Sequence, residues 1–474
     1  MAHRCPLLQL HCHGRAVSWD RTNAAAKSTS GTRRQGRTVV NTFNAPVAQL
    51  SGNGKGRNIA LCADGTCNAF GRHSSNVARL IELLDLSDAR VQVAAYDQGL
   101  GTTSGQFVAI QAFRSQLANP QALHLLPPPN ESWLKPWTWR ALLSAMTKGS
   151  DLCANVEQLY VKLSELYQHG DKVFMFGFSR GAFTVRALAG LIHGYGIPPS
   201  NDAAIAADRF AKAWPLFFNE FPDPTVRNRQ LALEFQKDFG QRHCPIHFLG
   251  LWDTVKSYGG LRPVMLPHLR HNASVCRVRH ALALDEKRAW FEPTTWGWLD
   301  SDRLEQAAAS RLSVEEIDKI RKQDIAEVWF SGCHSDVGGG TSNSETSDIA
   351  LRWMLGEALC AGLSLNERGR RCLTVLRQAE KPRPMDSHNI VWTLIERIGR
   401  QAIDNSDTWP KLYDAPRGAQ LRLSLKSKRK GTVWVHESVT DRSRFATVPK
   451  DVKVISYQTR RLEEPLASRT GFAV

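Results

Sequence analysis

Short apolar runs alternate with longer amphipathic segments through the middle of the chain. One apolar run opens the segment 57–68 and ends there in a polar turn, and the others lie at residues 91–96, 173–176 and 246–252. Runs of this kind are typical of strands that are buried on both faces of a parallel sheet. Helical spacing is found between them, at residues 76–84 and 155–167 and across most of 202–240. This alternation predicts an α/β fold with a mostly parallel sheet and helices on both faces.

The second half of the chain continues this pattern and then becomes mixed. It predicts strands at 275–284 and 328–330, a charged helix at 304–322 and a helix at 347–362. Beyond about residue 375 we predict a helix at 389–403 and strand-like pieces at 420–425 and 432–436. We therefore expect one domain over residues 57–375. Residues 376–474 form a C-terminal extension that is either a small appendage or a continuation of the same domain.

Two segments depart from the strand and helix pattern. Residues 1–56 are rich in Arg, Ser, Thr, Asn and Gly, with Asp20 as the one acidic residue, and we interpret them as a flexible basic arm. An organellar transit peptide is the alternative for this arm. Residues 107–149 form an insertion rich in proline and tryptophan, which is either a lid that meets a lipid surface or a loop packed on the core. Its tryptophans are Trp133, Trp137 and Trp139.

Charge and cysteine usage narrow the expected partners and compartment. The net charge of +16 favours an anionic partner, and we expect a phospholipid membrane surface rather than nucleic acid, although basic surfaces are often only solvated. The 10 cysteines are scattered without C-x-x-C pairs, so we expect reduced thiols in a cytoplasmic fold and no zinc site. The sequence shows neither an apolar run of transmembrane length nor the apolar region of a secretory signal.

The segment Gly177-Phe178-Ser179-Arg180-Gly181 is the strongest candidate for chemistry. It fits the pattern G-x-S-x-G and lies between the apolar run 173–176 and an Ala-rich helical segment. This is the context in which such a pattern forms a nucleophile elbow, with a serine exposed on a strained turn. A solvated serine in a tight turn is the alternative. We predict that Ser179 is a nucleophile.

A nucleophilic serine needs a base, and the base needs a carboxylate that orients it. Asp253 and His334 each follow a predicted strand, where functional groups of open α/β sheets collect. They also follow Ser179 in the order serine, acid, histidine. Other residues of the same types stay open as alternatives. The alternative acids are Asp285, Glu286 and Asp336, and the alternative bases are His193, His243, His280 and His436.

The predicted oxyanion hole combines two backbone segments. The N–H group of Arg180, directly after the nucleophile, is the first expected donor. The turn Asp64-Gly65-Thr66 follows the first predicted strand and is expected to supply the second donor from Gly65 or Thr66. Asp64 would hold this turn in shape, or it forms a simple Asx turn.

Six ordered blocks of the chain resemble a known family. They are CADGTCN at 62–68, YDQGLGT at 96–102, FGFSRGAFTVRALAGLI at 176–192, LWDTV at 251–255, HALALDEKRAWFEP at 280–293 and WFSGCHSDVGGG at 329–340. Together they resemble a bacterial and fungal α/β-hydrolase family that includes the first group of type VI secretion lipase effectors, which are phospholipases A. The chain departs from the family's usual pattern at Cys67, where tryptophan is usual.

The resemblance implies a Ser179–Asp253–His334 triad that hydrolyses acyl esters of glycerophospholipids, without a cofactor or metal. It also implies phospholipid substrates, a secretion apparatus and an immunity protein as partners. The protein would then be cytoplasmic in the producing cell, exported without a signal peptide and active at target-cell membranes. A soluble carboxylesterase for small esters is the first alternative. The second is a basic binding module on an inactive hydrolase scaffold.

Overall fold

A single sheet of parallel strands organises the part of the chain that the computed structural model describes. That part comprises residues 56–65, 74–98, 111–126, 150–219, 226–255, 266, 268–269, 272–288, 291, 293–296, 313–341, 344–374, 431–437, 439 and 452–457. In chain order the strands are β1 (Asn58–Ala63), β2 (Gln92–Asp97), β3 (Leu123–Leu125), β4 (Lys172–Phe178), β5 (Ile246–Trp252), β6 (Arg277–Ala283), β7 (Asp324–Phe330), β8 (Gly431–His436) and β9 (Val452–Tyr457). They lie side by side in the order β3-β2-β1-β4-β5-β6-β7-β8-β9. Each neighbouring pair is parallel, which confirms the predicted sheet.

Helices connect most of the strands and cover both faces of the sheet. They are α1 (Asn76–Leu83), α2 (Ser150–Leu166), α3 (Arg180–Tyr195), α4 (Ala203–Asn219), α5 (Val226–Phe239), α6 (Val314–Arg321), α7 (His334–Gly338), α8 (Glu345–Cys360) and α9 (Glu367–Thr374). Successive side chains of a strand point to opposite faces. On β4, Val173 and Met175 therefore pack in a core layer with α2 to α5. Phe174 and Phe176 pack in a second layer with α1 and α8. Helices on both faces were predicted, and the two buried layers confirm this.

The Pro- and Trp-rich insertion and the C-terminal extension both contribute strands to the sheet. Within the insertion, Leu123–Leu125 forms β3 and pairs with β2 at the edge. The three tryptophans lie outside the described residues. In the extension, β8 pairs with β7, and β9 pairs with β8. Of the basic arm expected at residues 1–56, residues 1–55 lie outside the described residues.

Several element boundaries differ from the predicted ones. The strand expected at 328–330 runs over Asp324–Phe330, and the glycine-rich turn after it contains the short helix α7. This helix starts because the Asp336 carboxylate accepts the backbone N–H of Cys333 at 2.9 Å. Strands β3 and β9 were not predicted. Of the charged helix expected at 304–322, the described part is α6, while the elements expected at 389–403 and 420–425 lie outside the described residues. None of the described helices is long and apolar enough to span a bilayer.

Candidate active site

Ser179 lies at the sharp junction between β4 and α3. Its backbone angles are φ 56° and ψ −120°, a region that residues with a side chain rarely adopt. The turn is possible because glycines flank it. A Cβ atom on Gly177 would lie 2.6 Å from the Cα atom of Ala182, and one on Gly181 would lie 2.1 Å from the carbonyl oxygen of Ala63. The G-x-S-x-G pattern therefore places Ser179 at the carboxyl end of the inner strand β4, with the end of β1 packed against the start of α3.

His334 and Asp253 lie beside Ser179 in a continuous chain of hydrogen bonds. The Nε2 atom of His334 lies 2.8 Å from the Oγ atom of Ser179. The Nδ1 atom of His334 lies 2.6 Å from the Oδ2 atom of Asp253. A carboxylate can only accept, so Nδ1 carries the proton and Nε2 presents its lone pair to the serine hydroxyl. This is the arrangement in which a histidine can remove a proton from serine.

Asp253 is held by the strand next to it. It follows β5 directly, and its backbone φ of 37° is again in the region that favours glycine. Its backbone N–H donates to the carbonyl oxygen of Ala281 at 2.8 Å. Its Oδ1 atom accepts the backbone N–H of Ala283 at 3.0 Å. One carboxylate oxygen is therefore fixed on β6, and the other is left for His334.

The surroundings of His334 favour the neutral imidazole. The ring is 4 % exposed and lies between Phe178 and Phe291, whose ring centroids are 4.7 Å and 4.8 Å away. Burial lowers the pKa of His334, while the hydrogen bond and charge of Asp253 raise it. The lowering is larger, so His334 is neutral at pH 7 and Nε2 can accept a proton.

Three further carboxylates shape the loop that carries His334. The Oδ2 atom of Asp285 accepts the backbone N–H of Gly332, and Asp336 accepts that of Cys333. Glu286 is 4 % exposed and accepts the backbone N–H of His334 at 3.1 Å. The guanidinium of Arg288 also donates to both oxygens of Glu286. Asp285, Glu286 and Asp336 were alternatives for the acid that orients the histidine. Each is bonded here to backbone of the loop, whereas the Asp253 carboxylate is hydrogen-bonded to the ring of His334.

The turn expected to complete the oxyanion hole lies at the end of β1, next to the start of α3. Asp64 accepts hydrogen bonds from the hydroxyl groups of Ser75 and Tyr96 on Oδ2, and from the Gly65 N–H on Oδ1 at 2.7 Å. Burial raises the pKa of Asp64 to about 6 against the lowering effect of these donors. Thr66 lies outside the described residues. Asp64 thus holds the turn, and the Gly65 N–H points at the Asp64 carboxylate in this structure.

Comparison with known proteins supplies the family. A family profile described as "T6SS, Phospholipase effector Tle1-like, catalytic domain" matches residues 57–357, which is more than half of the 474-residue chain. T6SS denotes the type VI secretion system. The chain belongs to this family. The match confirms the resemblance to type VI secretion lipase effectors, and it contains Ser179, Asp253 and His334.

One curated relative of this Tle1-like chain comes from a fungus. It is an uncharacterized protein of Saccharomyces cerevisiae that is 31 % identical over 243 residues. The matched region is 50 % of this chain and 32 % of the relative. The Tle1-like chain therefore spans about a third of the length of this relative.

Two solved structures are more distant matches. An uncharacterized protein from Pseudomonas aeruginosa is 18 % identical with a TM-score of 0.33, covering 83 % of this chain and 56 % of that one. The Tle1 effector bound to the VgrG spike of the type VI secretion system is 15 % identical with a TM-score of 0.28. That match covers 61 % of this chain and 52 % of the effector.

The alternative histidines of the Tle1-like chain make other contacts or lie at the opposite end of a strand. His193 contacts the Ser274 hydroxyl at 2.7 Å, and His436 stacks on Phe330 with ring centroids 4.5 Å apart. His243 precedes β5 and therefore lies at the opposite end of that strand from Asp253. His280 on β6 is fully buried and contacts Glu327. Sequence reasoning missed Glu286 as the residue that binds the backbone of His334. The only signal for it was its position after a strand, which it shares with Asp285.

Proposed function

We propose that this chain is a serine hydrolase that cleaves acyl esters of glycerophospholipids. The observation that carries the proposal is the chain of hydrogen bonds from Ser179 through His334 to Asp253, which starts at a serine with positive φ. Membership in a family of phospholipase effectors supports a lipid ester as the substrate. The fold that supports this chemistry best is that of an α/β-hydrolase, in which a serine follows a central strand and begins a helix.

In the proposed reaction the Oγ atom of Ser179 attacks the ester carbonyl carbon. His334 takes the serine proton on Nε2 and returns it to the oxygen of the leaving alcohol. Asp253 holds the imidazole in the tautomer that has its proton on Nδ1 and stabilises the imidazolium that forms. Water then attacks the acyl-enzyme, with His334 again as the base, and releases the fatty acid.

The negative oxygen that develops during both steps needs donors. The Arg180 N–H lies in the first turn of α3, where the helix dipole also favours negative charge. We assign the second donor to the 64–66 turn. The Gly65 N–H would have to leave the Asp64 carboxylate to take part, or Thr66 would provide the donor.

The experiment compares the protein with Ser179→Ala on vesicles of phosphatidylethanolamine and phosphatidylglycerol. We expect the wild type to release fatty acid and lysophospholipid, and the variant to lose on the order of a million-fold in kcat. Ser115→Ala is the matched control, since Ser115 is exposed and its hydroxyl donates to the carbonyl of Ala112. Equal release by wild type and Ser179→Ala, or release by neither, would show that the proposal is wrong.

The same protein distinguishes a lipase from an esterase for small soluble esters. A lipase should hydrolyse a short-chain chromogenic ester slowly in solution and faster once vesicles are added. The net charge of +16 predicts a larger increase with phosphatidylglycerol than with neutral vesicles. Rapid hydrolysis of the soluble ester with no response to vesicles would favour the carboxylesterase.

A further inference from the structure

A buried histidine and glutamate lie behind the strand end that carries Asp253. His280 on β6 and Glu327 on β7 are directly opposite each other in the parallel ladder. Both are buried, with exposed fractions of 0 % and 2 %. The Nδ1 atom of His280 lies 3.0 Å from the Oε1 atom of Glu327.

The second ring nitrogen of His280 binds the backbone next to Asp253. The N–H of Thr254 donates to the Nε2 atom of His280 at 3.2 Å. A backbone N–H can only donate, so Nε2 must hold a lone pair and the ring proton must be on Nδ1. The Nδ1–H then donates to Glu327, and both ring nitrogens are used. Burial lowers the pKa of His280, which is consistent with a neutral ring.

Thr254 directly follows a strained residue. Positive φ at a residue other than glycine costs about 1–3 kcal/mol and persists only where surrounding contacts impose it. Asp253 has a φ of 37°. Its own N–H is bonded to the Ala281 carbonyl, and the next N–H is bonded to His280. Two successive peptide groups are thus anchored on β6.

The carbonyl group of Thr254 is also held in place. The Thr254 carbonyl accepts the backbone N–H of Thr294 at 2.7 Å. The loop that contains Thr294 is fixed by Glu327, which accepts the N–H of Trp296 at 2.6 Å. It is also fixed by the buried guanidinium of Arg186 on α3, which donates to the carbonyls of Thr294 and Thr295. Glu327 therefore acts on Asp253 by two routes, through His280 and through this loop.

We propose that His280 and Glu327 are positioning residues that hold the backbone of Asp253 in the conformation that aims its carboxylate at His334. The contacts run from Glu327 to His280, to the Thr254 N–H, and through Asp253 and His334 to Ser179. The kinetic consequence rests on the proposed serine hydrolase function, whereas the structural consequence does not. A misplacement of about 1 Å at a reacting group can cost roughly a hundredfold in rate.

Two substitutions at position 280 separate the two hydrogen bonds. In His280→Asn, the side-chain amide can occupy the position of Nδ1 and donate to Glu327, but nothing accepts from Thr254. In His280→Gln, the amide oxygen can reach the position of Nε2 and accept from Thr254, while the bond to Glu327 is lost. We expect His280→Asn to lower kcat by about tenfold to a hundredfold with little change in KM. His280→Gln should lose clearly less, because it keeps the acceptor for Thr254 and Glu327 still holds the loop at Trp296. An equal loss in both variants, or no loss in His280→Asn, overturns the proposal.

His247→Asn is the matched control for loss of a histidine bond inside the sheet. His247 lies on β5, and its Nε2 atom contacts the carbonyl of Ala361 at 2.9 Å, away from Ser179. We expect this variant to lose stability without loss of kcat. A loss of kcat like that of His280→Asn would show that the effect at position 280 is general to the sheet.

A second measurement does not depend on ester hydrolysis. The Nδ1 proton of His334 in its short bond to Asp253 should give a far-downfield proton NMR signal, identified by its loss in Asp253→Asn. We expect this signal to persist in His280→Gln and to broaden or vanish in His280→Asn. In the wild type, nitrogen-15 shifts should show the Nδ1–H tautomer of His280. The opposite tautomer would overturn the proposal even if both variants failed to fold, and a wild type with these signals but no ester hydrolysis would contradict only the proposed function.

Discussion

Burial of the Asp64 carboxyl makes stability depend on pH in a direction that is unusual for an aspartate. The side chain is buried, and its pKa is raised from 3.8 to about 6, chiefly by burial and against the effect of three donors. The folded chain therefore binds a proton more tightly than the unfolded chain. The resulting stabilisation is fully present below about pH 4 and is lost as pH rises through about 6. The shift corresponds to about 3 kcal/mol of unfolding free energy.

The substitution Asp64→Asn removes this titration at nearly constant volume. The amide oxygen can accept the Gly65 N–H, and the amide nitrogen can donate to the Ser75 and Tyr96 hydroxyls, which can rotate to accept. We expect the unfolding free energy of Asp64→Asn, relative to wild type, to rise by about 3 kcal/mol between pH 4 and pH 7. The measurement is urea unfolding of both proteins at intervals across this range.

Asp88→Asn provides a control of opposite sign. Asp88 is partly exposed, and hydrogen bonds from Arg90 lower its pKa to about 2. The ionised Asp88 carboxyl stabilises the folded chain above about pH 4, and this effect is lost as pH falls. The unfolding free energy of Asp88→Asn should therefore approach that of the wild type in acid. A difference between Asp64→Asn and wild type that does not change with pH would refute the argument, because burial would then not disfavour the ionised carboxyl.

Two further predictions concern His334 and the glycine that ends its helix. Because burial lowers the pKa of His334, kcat/KM for an ester should fall on the acid side only below pH 6.5. Asp253→Asn should move this acid-side fall in kcat/KM to still lower pH, since Asp253 raises the pKa of His334. A fall that begins above pH 6.5 in the wild type would contradict the prediction. A Cβ on Gly338 would lie 1.9 Å from the Phe178 ring, which contacts His334. Gly338→Ala should therefore cost about 1–3 kcal/mol in thermal or urea unfolding and lower activity. A Cβ on Gly194 in α3 would meet open space, so Gly194→Ala should raise the unfolding free energy by up to about 1 kcal/mol. Similar effects of the two alanine substitutions would refute the packing argument.

The main strands could be predicted from sequence because they are buried on both faces. Such strands are continuous apolar runs, and the predicted strand at 246–252 has the same bounds as β5. Strand β9 was missed because it lies at the edge of the sheet and alternates polar and apolar residues, as in Val452-Lys453-Val454. Strand β3 has only three residues inside a Pro- and Trp-rich segment. Helix α7 was hidden in a glycine-rich turn because Cys333 and Asp336 form its start, in place of the usual serine or threonine cap.

The candidate site could also be predicted from the sequence only in part. Ser179, Asp253 and His334 could be proposed together because each follows a strand, and the carboxyl ends of parallel strands share one edge of the sheet. Their mutual hydrogen bonds could not be derived from that placement. The pairing of His280 with Glu327 depends on the register between β6 and β7, across 47 positions of sequence. No local pattern specifies that register, so His280 remained one histidine among several.

The position of β8 has a consequence for the length of chain that can fold on its own. Strand β7, which leads into His334, pairs on one side with β6 and on the other with Trp434 and Val435 of β8. A chain truncated at residue 357, where the family match ends, would keep Ser179, Asp253 and His334 but would expose that side of β7 to solvent. An unpaired, largely apolar strand edge is a template for association with other chains. The autonomous folding unit should therefore extend to at least residue 457, and a shorter catalytic fragment should aggregate even though its reactive groups are complete.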